Sequence, residues 1–232
     1  AFEEKFMQTD IPYVIVGNIK FYERKEIKDI LAYLRLIVNP RDDISFLRVV
    51  NVPRRGVGPI NLERLVNFAA ERNLAIFDVV YSESLLAQVP QLSPKCKQKL
   101  HEFTSMLVTF SSVREGLPIA ALINAVLKES GYLASLNEGE EGTKQENLNR
   151  IENLSSFVNG AEEFDEINSD ITLEDFLNHV ALITDIDSLD EENSRVSLMT
   201  IHSAKGLEFP VVFVAGMEEG LLPHSISMIS ST

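Results

Sequence analysis

The hydrophobic positions of this chain change period twice. Near the start, Ile11-Pro12-Tyr13-Val14-Ile15-Val16 is a short run of β-formers, entered through a proline and closed by Gly17. Such a run predicts a strand. Near the other end, Val196 and Leu198 alternate with polar residues, and Val211-Val212-Phe213-Val214 is apolar without interruption. The second run predicts a strand buried on both faces of a parallel sheet. Between the two ends, apolar residues recur at three and four positions, the period of a helix with one buried face.

Taken in order, Phe2 to Met7 reads as the end of a helix. Ile27, Ile30, Leu31, Leu34 and Val38 mark a helix that Asn39-Pro40 stops. Asp42 or Asp43 caps the next, which carries Ile44, Leu47 and Val50. Leu62, Leu65, Val66 and Ala69 mark a third. From Leu74 to Leu136 the pattern is helical throughout, with Pro94 and Pro118 at helix beginnings and Ser130-Gly131 at an end. Gln145 to Val158 is a further helix, and Asp165 to Asp170 reads as a loop. Thr172-Leu173-Glu174-Asp175 opens a last helix through Ile183 with a loose capping box. Asp185 to Ser194 is an acidic linker back to the strand at Val196. The fold class expected is mostly α, with a small α/β part whose strands flank an all-helical insertion.

Charge changes this picture in one respect. The net charge of −14 argues against a nucleic-acid partner at first sight. It is unevenly placed, however. Residues 138–192 hold seventeen acids against two bases, Lys144 and Arg150, so the remainder is close to neutral. Local patches decide partners more than the total does. The acidic lobe could dock a basic partner protein, which defines a second class of function: a regulatory or interaction module.

Composition excludes several other classes. No apolar run approaches the roughly 18–20 residues of a membrane span, and the acidic start AFEEKFMQTD is no signal peptide. The single Cys96 allows no internal disulfide or thiolate cluster. A cytoplasmic protein is expected, and the absence of an initial Met suggests a fragment. His101 and His179 sit in helical segments without partners at metal-ligand spacing.

Two stretches carry chemistry. Asn51-Val52-Pro53-Arg54-Arg55-Gly56-Val57-Gly58-Pro59-Ile60-Asn61 places two arginines before a Gly-x-Gly turn that opens into a helix. Glycines let a backbone approach a phosphate, and a helix N-terminus offers it N–H groups. The other is Thr200-Ile201-His202-Ser203-Ala204-Lys205-Gly206-Leu207-Glu208-Phe209-Pro210, a polar turn between the two C-terminal runs. At the end of a parallel strand such groups face the crevice where ligands bind. Lys20, Arg24, Lys25, Lys28 and Arg35 alternate with Glu23, Glu26 and Asp29, and read as a solvated helix face with i,i+4 pairs.

The stretch TIHSAKGLEFPVVFVAGMEEGLLPH resembles motif V of the superfamily 1 DNA helicases of the UvrD/PcrA/Rep type, most strongly the PcrA-like branch. Gly17 to Arg35 resembles the family's motif IVa, and Arg54 to Gly58 resembles the Gly-Ile-Gly motif of its accessory 2B domain. The resemblance implies that residues 1–38, including the motif IVa helix, and 193–232 belong to a RecA-like 2A domain, split by a helical 2B domain over 39–192. It implies that Gly206 and Glu208 reach the nucleotide, Glu208 accepting from the ribose hydroxyls. Thr200, His202, Lys205 and His224 would contact single-stranded DNA. Arg54, Arg55, Gly56, Val57, Gly58 and Asn61 would hold duplex phosphates. Asn61 stands where relatives often carry threonine.

The implied activity is ATP-dependent 3′→5′ DNA unwinding in replication and repair. ATP and Mg²⁺ are its cofactors, DNA its partner as single strand and duplex junction, and repair, replication or transcription proteins are further partners. The phosphate loop, the Mg²⁺ box and the arginine-bearing motif VI are all missing from this sequence. The stretch alone is therefore expected to be monomeric, to hold no cofactor and not to hydrolyse ATP. A helicase-nuclease of the same superfamily would need a nuclease domain further along.

Overall fold

The structure is a computed structural model that describes residues 2, 5, 6, 9, 11–16, 20–139, 142–167, 171–189, 195–201 and 203–218. Two strands, β1 (Tyr13–Val16) and β2 (Val196–Met199), bracket ten helices among the described residues. The helices are α1 (Lys25–Val38), α2 (Asp43–Val49), α3 (Pro59–Glu71), α4 (Ile76–Tyr81), α5 (Glu83–Gln88), α6 (Pro94–Val113), α7 (Ile119–Glu129), α8 (Tyr132–Glu138), α9 (Lys144–Ile167) and α10 (Leu173–Leu189). The strands pair in parallel, Tyr13 opposite Val196 and Val16 opposite Met199. The two ends of the sequence thus form one sheet, and everything between them is a crossover.

The middle of α1 is buried on every side, which places it inside the helical body. It packs against α2, α6, α7, α9 and α10, and Ile27, Tyr33, Leu34, Leu36 and Ile37 are fully enclosed. Its apolar residues are completed by the surrounding helices, so it is their hub. Phe46 and Phe103 meet edge-to-face beside it, ring centroids 5.4 Å apart, a favoured aromatic geometry.

The solvated face expected for the acids of α1 is corrected. Asp29 is only 2% exposed and takes the Arg48 guanidinium at 2.8 Å and the Tyr132 hydroxyl at 3.0 Å. Burial raises the Asp29 carboxyl above its ordinary range, with the Arg48 charge and the Tyr132 hydrogen bond opposing. Glu26 is also buried, and accepts at 2.6 Å from the Asn153 amide. Arg24 donates to the oxygen of the same amide at 2.7 Å. Helical spacing puts these acids on a face that α8 and α9 later cover, and covering requires partners.

Several acids of the 138–192 lobe act as caps. Asp165 on α9 accepts from Ile119 N and Ala120 N, both at 3.0 Å, and so caps α7 across space. Thr172 and Asp175 form the expected reciprocal box at the start of α10. Thr143 and Glu146 make another at α9 that the reading did not anticipate. Glu174 pairs with Arg114 at 2.9 Å, while Arg114 also donates to the Ile37 carbonyl at the end of α1.

Three boundaries move. The helix expected to stop at Val158 runs to Ile167, taking in the start of the expected 165–170 loop, and the last helix continues past Ile183 to Leu189. The stretch from Leu74 to Leu136 is helical, but broken into α4 to α8 and a 3₁₀ turn at Arg114–Gly116. The largest departure is at Val211 to Val214. These residues are not a strand and are exposed, Phe213 by 91%. A doubly buried strand needs a neighbour on each edge and a layer on each face. Among the described residues the sheet has two strands, and neither need is met.

Candidate nucleic-acid interface

Asn51 to Gly58 is a turn built around one side chain. The Asn51 carboxamide oxygen accepts from Arg55 N at 2.8 Å and Val57 N at 3.2 Å. The peptide between Val52 and Pro53 is cis, and the Val52 carbonyl accepts from the Tyr33 hydroxyl. Gly56 has φ +77°, the left-handed region where a side chain would be strained, and no atom lies where its Cβ would sit. Gly58 then caps α3, with Pro59 in the first helical position.

The two arginines of this turn have opposite fates. Arg54 is exposed. Arg55 turns inward, and its guanidinium donates to the carbonyls of Val49 (3.1 Å), Val50 (3.3 Å), Pro53 (3.2 Å) and Ser130 (3.1 Å) and to the Tyr33 hydroxyl (2.7 Å). It also lies over the Phe103 ring, 5.0 Å from the centroid. Those five bonds use the donors that a phosphate would need. Arg55 is therefore a tie between α1, the turn and the end of α7.

Val57 also faces inward. Its side chain is 1% exposed in the core and its N–H is held by Asn51. The α3 N-terminus is less open than expected too, since Asn61 N and Leu62 N both donate to the Gly58 carbonyl, at 3.0 and 3.1 Å. Outward there remain Arg54, the Gly56 and Gly58 backbone, and the half-buried Asn61 side chain.

No local feature of the sequence separates the two arginines, since the chain turns at the left-handed Gly56 between Arg55 and Val57.

A small recess of about 30 Å³ opens beside the turn. Asn51, Arg54, Lys25, Tyr132, Ser135 and Arg150 contribute to its wall. It brings bases from three separate elements together, a juxtaposition that no single stretch of sequence displays.

At the other end, β2 leads into a turn organised by Thr200. Its hydroxyl accepts from Ser203 N at 3.1 Å and lies 2.9 Å from the Ser203 hydroxyl. Its carbonyl accepts from Ala204 N at 2.9 Å. Gly206 has φ +87°, so the turn needs glycine there. Lys205 and Glu208 are exposed. His202 and His224 lie outside the described residues. Thr200, Lys205, Gly206 and Glu208 thus share one surface turn at the C-terminal end of a parallel strand, far in sequence from the Arg54 turn.

Among the described residues, no group of three His, Cys, Asp or Glu could hold a metal ion. No described helix is long and apolar enough to cross a membrane. His179 lies against the Phe164 ring, centroids 5.0 Å apart. Burial raises the Cys96 thiol above its usual range, which leaves it unreactive.

Comparison with known proteins agrees with the motif reading. The model of the UvrD-like helicase C-terminal domain matches residues 1–232. The ATP-dependent DNA helicase PcrA of Staphylococcus aureus (strain NCTC 8325 / PS 47) is 42% identical over 224 residues, which is 96% of this chain and 30% of that protein. The PcrA of Staphylococcus epidermidis (strain ATCC 12228 / FDA PCI 1200) matches to the same extent. The chain therefore spans 30% of the length of these curated relatives. With its full length matched and its strands closing one parallel sheet around a helical body, the chain belongs to the UvrD-like helicase C-terminal domain family.

Proposed function

We propose that this chain is the duplex-gripping and coupling part of an ATP-dependent 3′→5′ DNA helicase. The observation that carries this is the family match along the whole chain, at 42% identity to helicases named PcrA. In this reading the sheet-bearing ends belong to a RecA-like 2A domain and the helical body to a 2B domain. The burial of α1 supports a boundary before Lys25 rather than after Val38.

The Thr200–Glu208 turn forms one wall of a nucleotide site shared with another domain of the intact protein. Gly206 and Glu208 face the ribose of ATP, which binds there with Mg²⁺. Thr200, Lys205, His202 and His224 face the single strand. Thr200 serves through its shaping of the turn as much as through contact. Arg54, Gly56, Gly58 and Asn61 lie on the duplex backbone without reading sequence. Closure of the nucleotide site is transmitted by this turn to the strand it holds.

The acids of the 138–192 lobe that cap helices are already in use. That makes the lobe a poorer docking surface for a basic protein than its charge suggested.

The decisive experiment replaces Glu208 by Ala in the intact protein. The expected result is a tenfold or greater loss of DNA-stimulated ATPase, an order set by one lost transition-state contact of about 1.4 kcal/mol. Undiminished stimulation removes Glu208 from the nucleotide site.

A further inference from the structure

We propose that Asn51 is the positioning residue of the duplex contact. Its carboxamide oxygen fixes the Asn51–Gly58 backbone so that the N–H groups of Gly56 and Gly58 are those left for phosphate oxygens. The proposal rests on the duplex reading of that turn and extends it to a side chain behind the contact.

Each residue of the turn except proline brings one backbone N–H that must find a partner in the protein, in water or in a ligand. Asn51 settles two of them. Its oxygen accepts from Arg55 N at 2.8 Å and from Val57 N at 3.2 Å. Two N–H groups two residues apart reach one oxygen because Gly56 between them is left-handed, with φ +77°. Neighbouring N–H groups around such a residue form a concavity suited to an anion. Here a neutral oxygen of the same chain fills it, so a phosphate must bind elsewhere on the turn.

The donors on either side of Val57 are in a different state. Among the described residues, neither Gly56 N nor Gly58 N has a hydrogen-bond partner. No atom beyond the adjoining residues lies within 4 Å of where a Cβ would stand on either glycine. A phosphate oxygen therefore has room to approach both. Gly56 is exposed, and Gly58 is the N-cap of α3, where the helix dipole favours an anion.

The hold on this backbone comes from within. Asn51 stands two residues past the end of α2. Arg55, which Asn51 holds by its N–H, is anchored through its guanidinium to the Ser130 carbonyl and the Tyr33 hydroxyl. Arg55 thus ties the turn to the helices, and Asn51 decides which N–H groups are spent. A carboxamide suits that task. A carboxylate could accept the same two bonds, but it would set a full negative charge beneath a surface meant for phosphate. An aliphatic side chain would leave both N–H groups unpaired, which the turn would relieve by changing shape.

The test measures binding of this chain to a tailed DNA duplex by fluorescence anisotropy over a range of salt, and follows the amide resonances of the turn as duplex is added. In the wild-type chain Gly56 and Gly58 should shift most, Arg55 and Val57 least. Asn51→Ala should weaken binding by about tenfold, the loss of one hydrogen bond to a charged group. The slope of log K against log salt should not change, because no cation is lost. Arg54→Ala should instead make that slope shallower by about 0.9, the value for one phosphate contact. Asn51→Asp keeps both bonds and adds a charge. It should bind more weakly at low salt, converge on the wild type as salt screens that charge, and keep the Gly56 and Gly58 shifts. A merely structural role for Asn51 does not produce that convergence.

Wild-type affinity in folded Asn51→Ala overturns the role of Asn51, as does duplex binding by the wild-type chain without Gly56 and Gly58 shifts. A loss of affinity in Arg54→Ala then leaves the duplex reading standing. Should Asn51→Ala not fold, Asn51→Asp decides, and a deficit that persists at high salt overturns the proposal. No duplex binding by the wild-type chain overturns both.

Discussion

The helical body and the strand-bearing ends use similar apolar residues to opposite effect. In the body, Phe103 is enclosed, touching Tyr33 and Phe46 edge-on. At the C-terminal end, Phe213 stands 91% exposed within an equally apolar run. The difference is not in the residues. The body contains both sides of its own core, because α1 is surrounded by helices from the same chain. Among the described residues, the ends supply two strands of a sheet and the apolar run, without layers that cover them. Hydropathy reports what a segment could bury; burial needs the opposing surface as well.

Three substitutions sharpen or break this contrast. Phe103→Ala should destabilise the chain most, by about 3–5 kcal/mol, read as a fall in the urea midpoint. Arg55→Ala comes next. It strands four carbonyls and the Tyr33 hydroxyl, and a loss of about 3 kcal/mol is expected. The same variant should retain the salt slope of duplex binding under conditions where it is folded, because its guanidinium faces inward. A lower slope there would return Arg55 to the DNA surface. Phe213→Ser should change the midpoint by less than about 0.5 kcal/mol. A change as large as that of Phe103→Ala would show that the exposed run is covered within this chain, and the contrast would fail.

Much of the fold was legible because its signals are local. The Asp42 cap, the Pro94 start, the Ser130-Gly131 stop and the Thr172–Asp175 box each depend on residues within a turn of one another. That strand-bearing ends flank a helical insertion was legible from the change of period. What escaped was set by contacts far apart in sequence. Asp29 looks solvated until Arg48 and Tyr132 are brought to it. Asp165 looks like a loop acid until α7 presents its N–H groups. Arg54 and Arg55 are chemically identical, and only the acceptors the fold brings to Arg55, among them Tyr33 and the Ser130 carbonyl, separate them. The recess could not be read at all, since Lys25, Arg54 and Arg150 lie in three distant stretches of sequence.

The parallel pairing of β1 with β2 also orders assembly in time. Some 180 residues separate Val16 from Val196, and closing so long a flexible loop costs roughly 2 kcal/mol more than closing a 15-residue crossover. Four residue pairs of sheet are a small return for that entropy. Once the helices have condensed around α1, most of that loop is no longer a flexible chain but a compact body. The strands then meet at little further cost. The body is in this sense the template on which the sheet is registered, and its stability sets the effective concentration of one strand for the other.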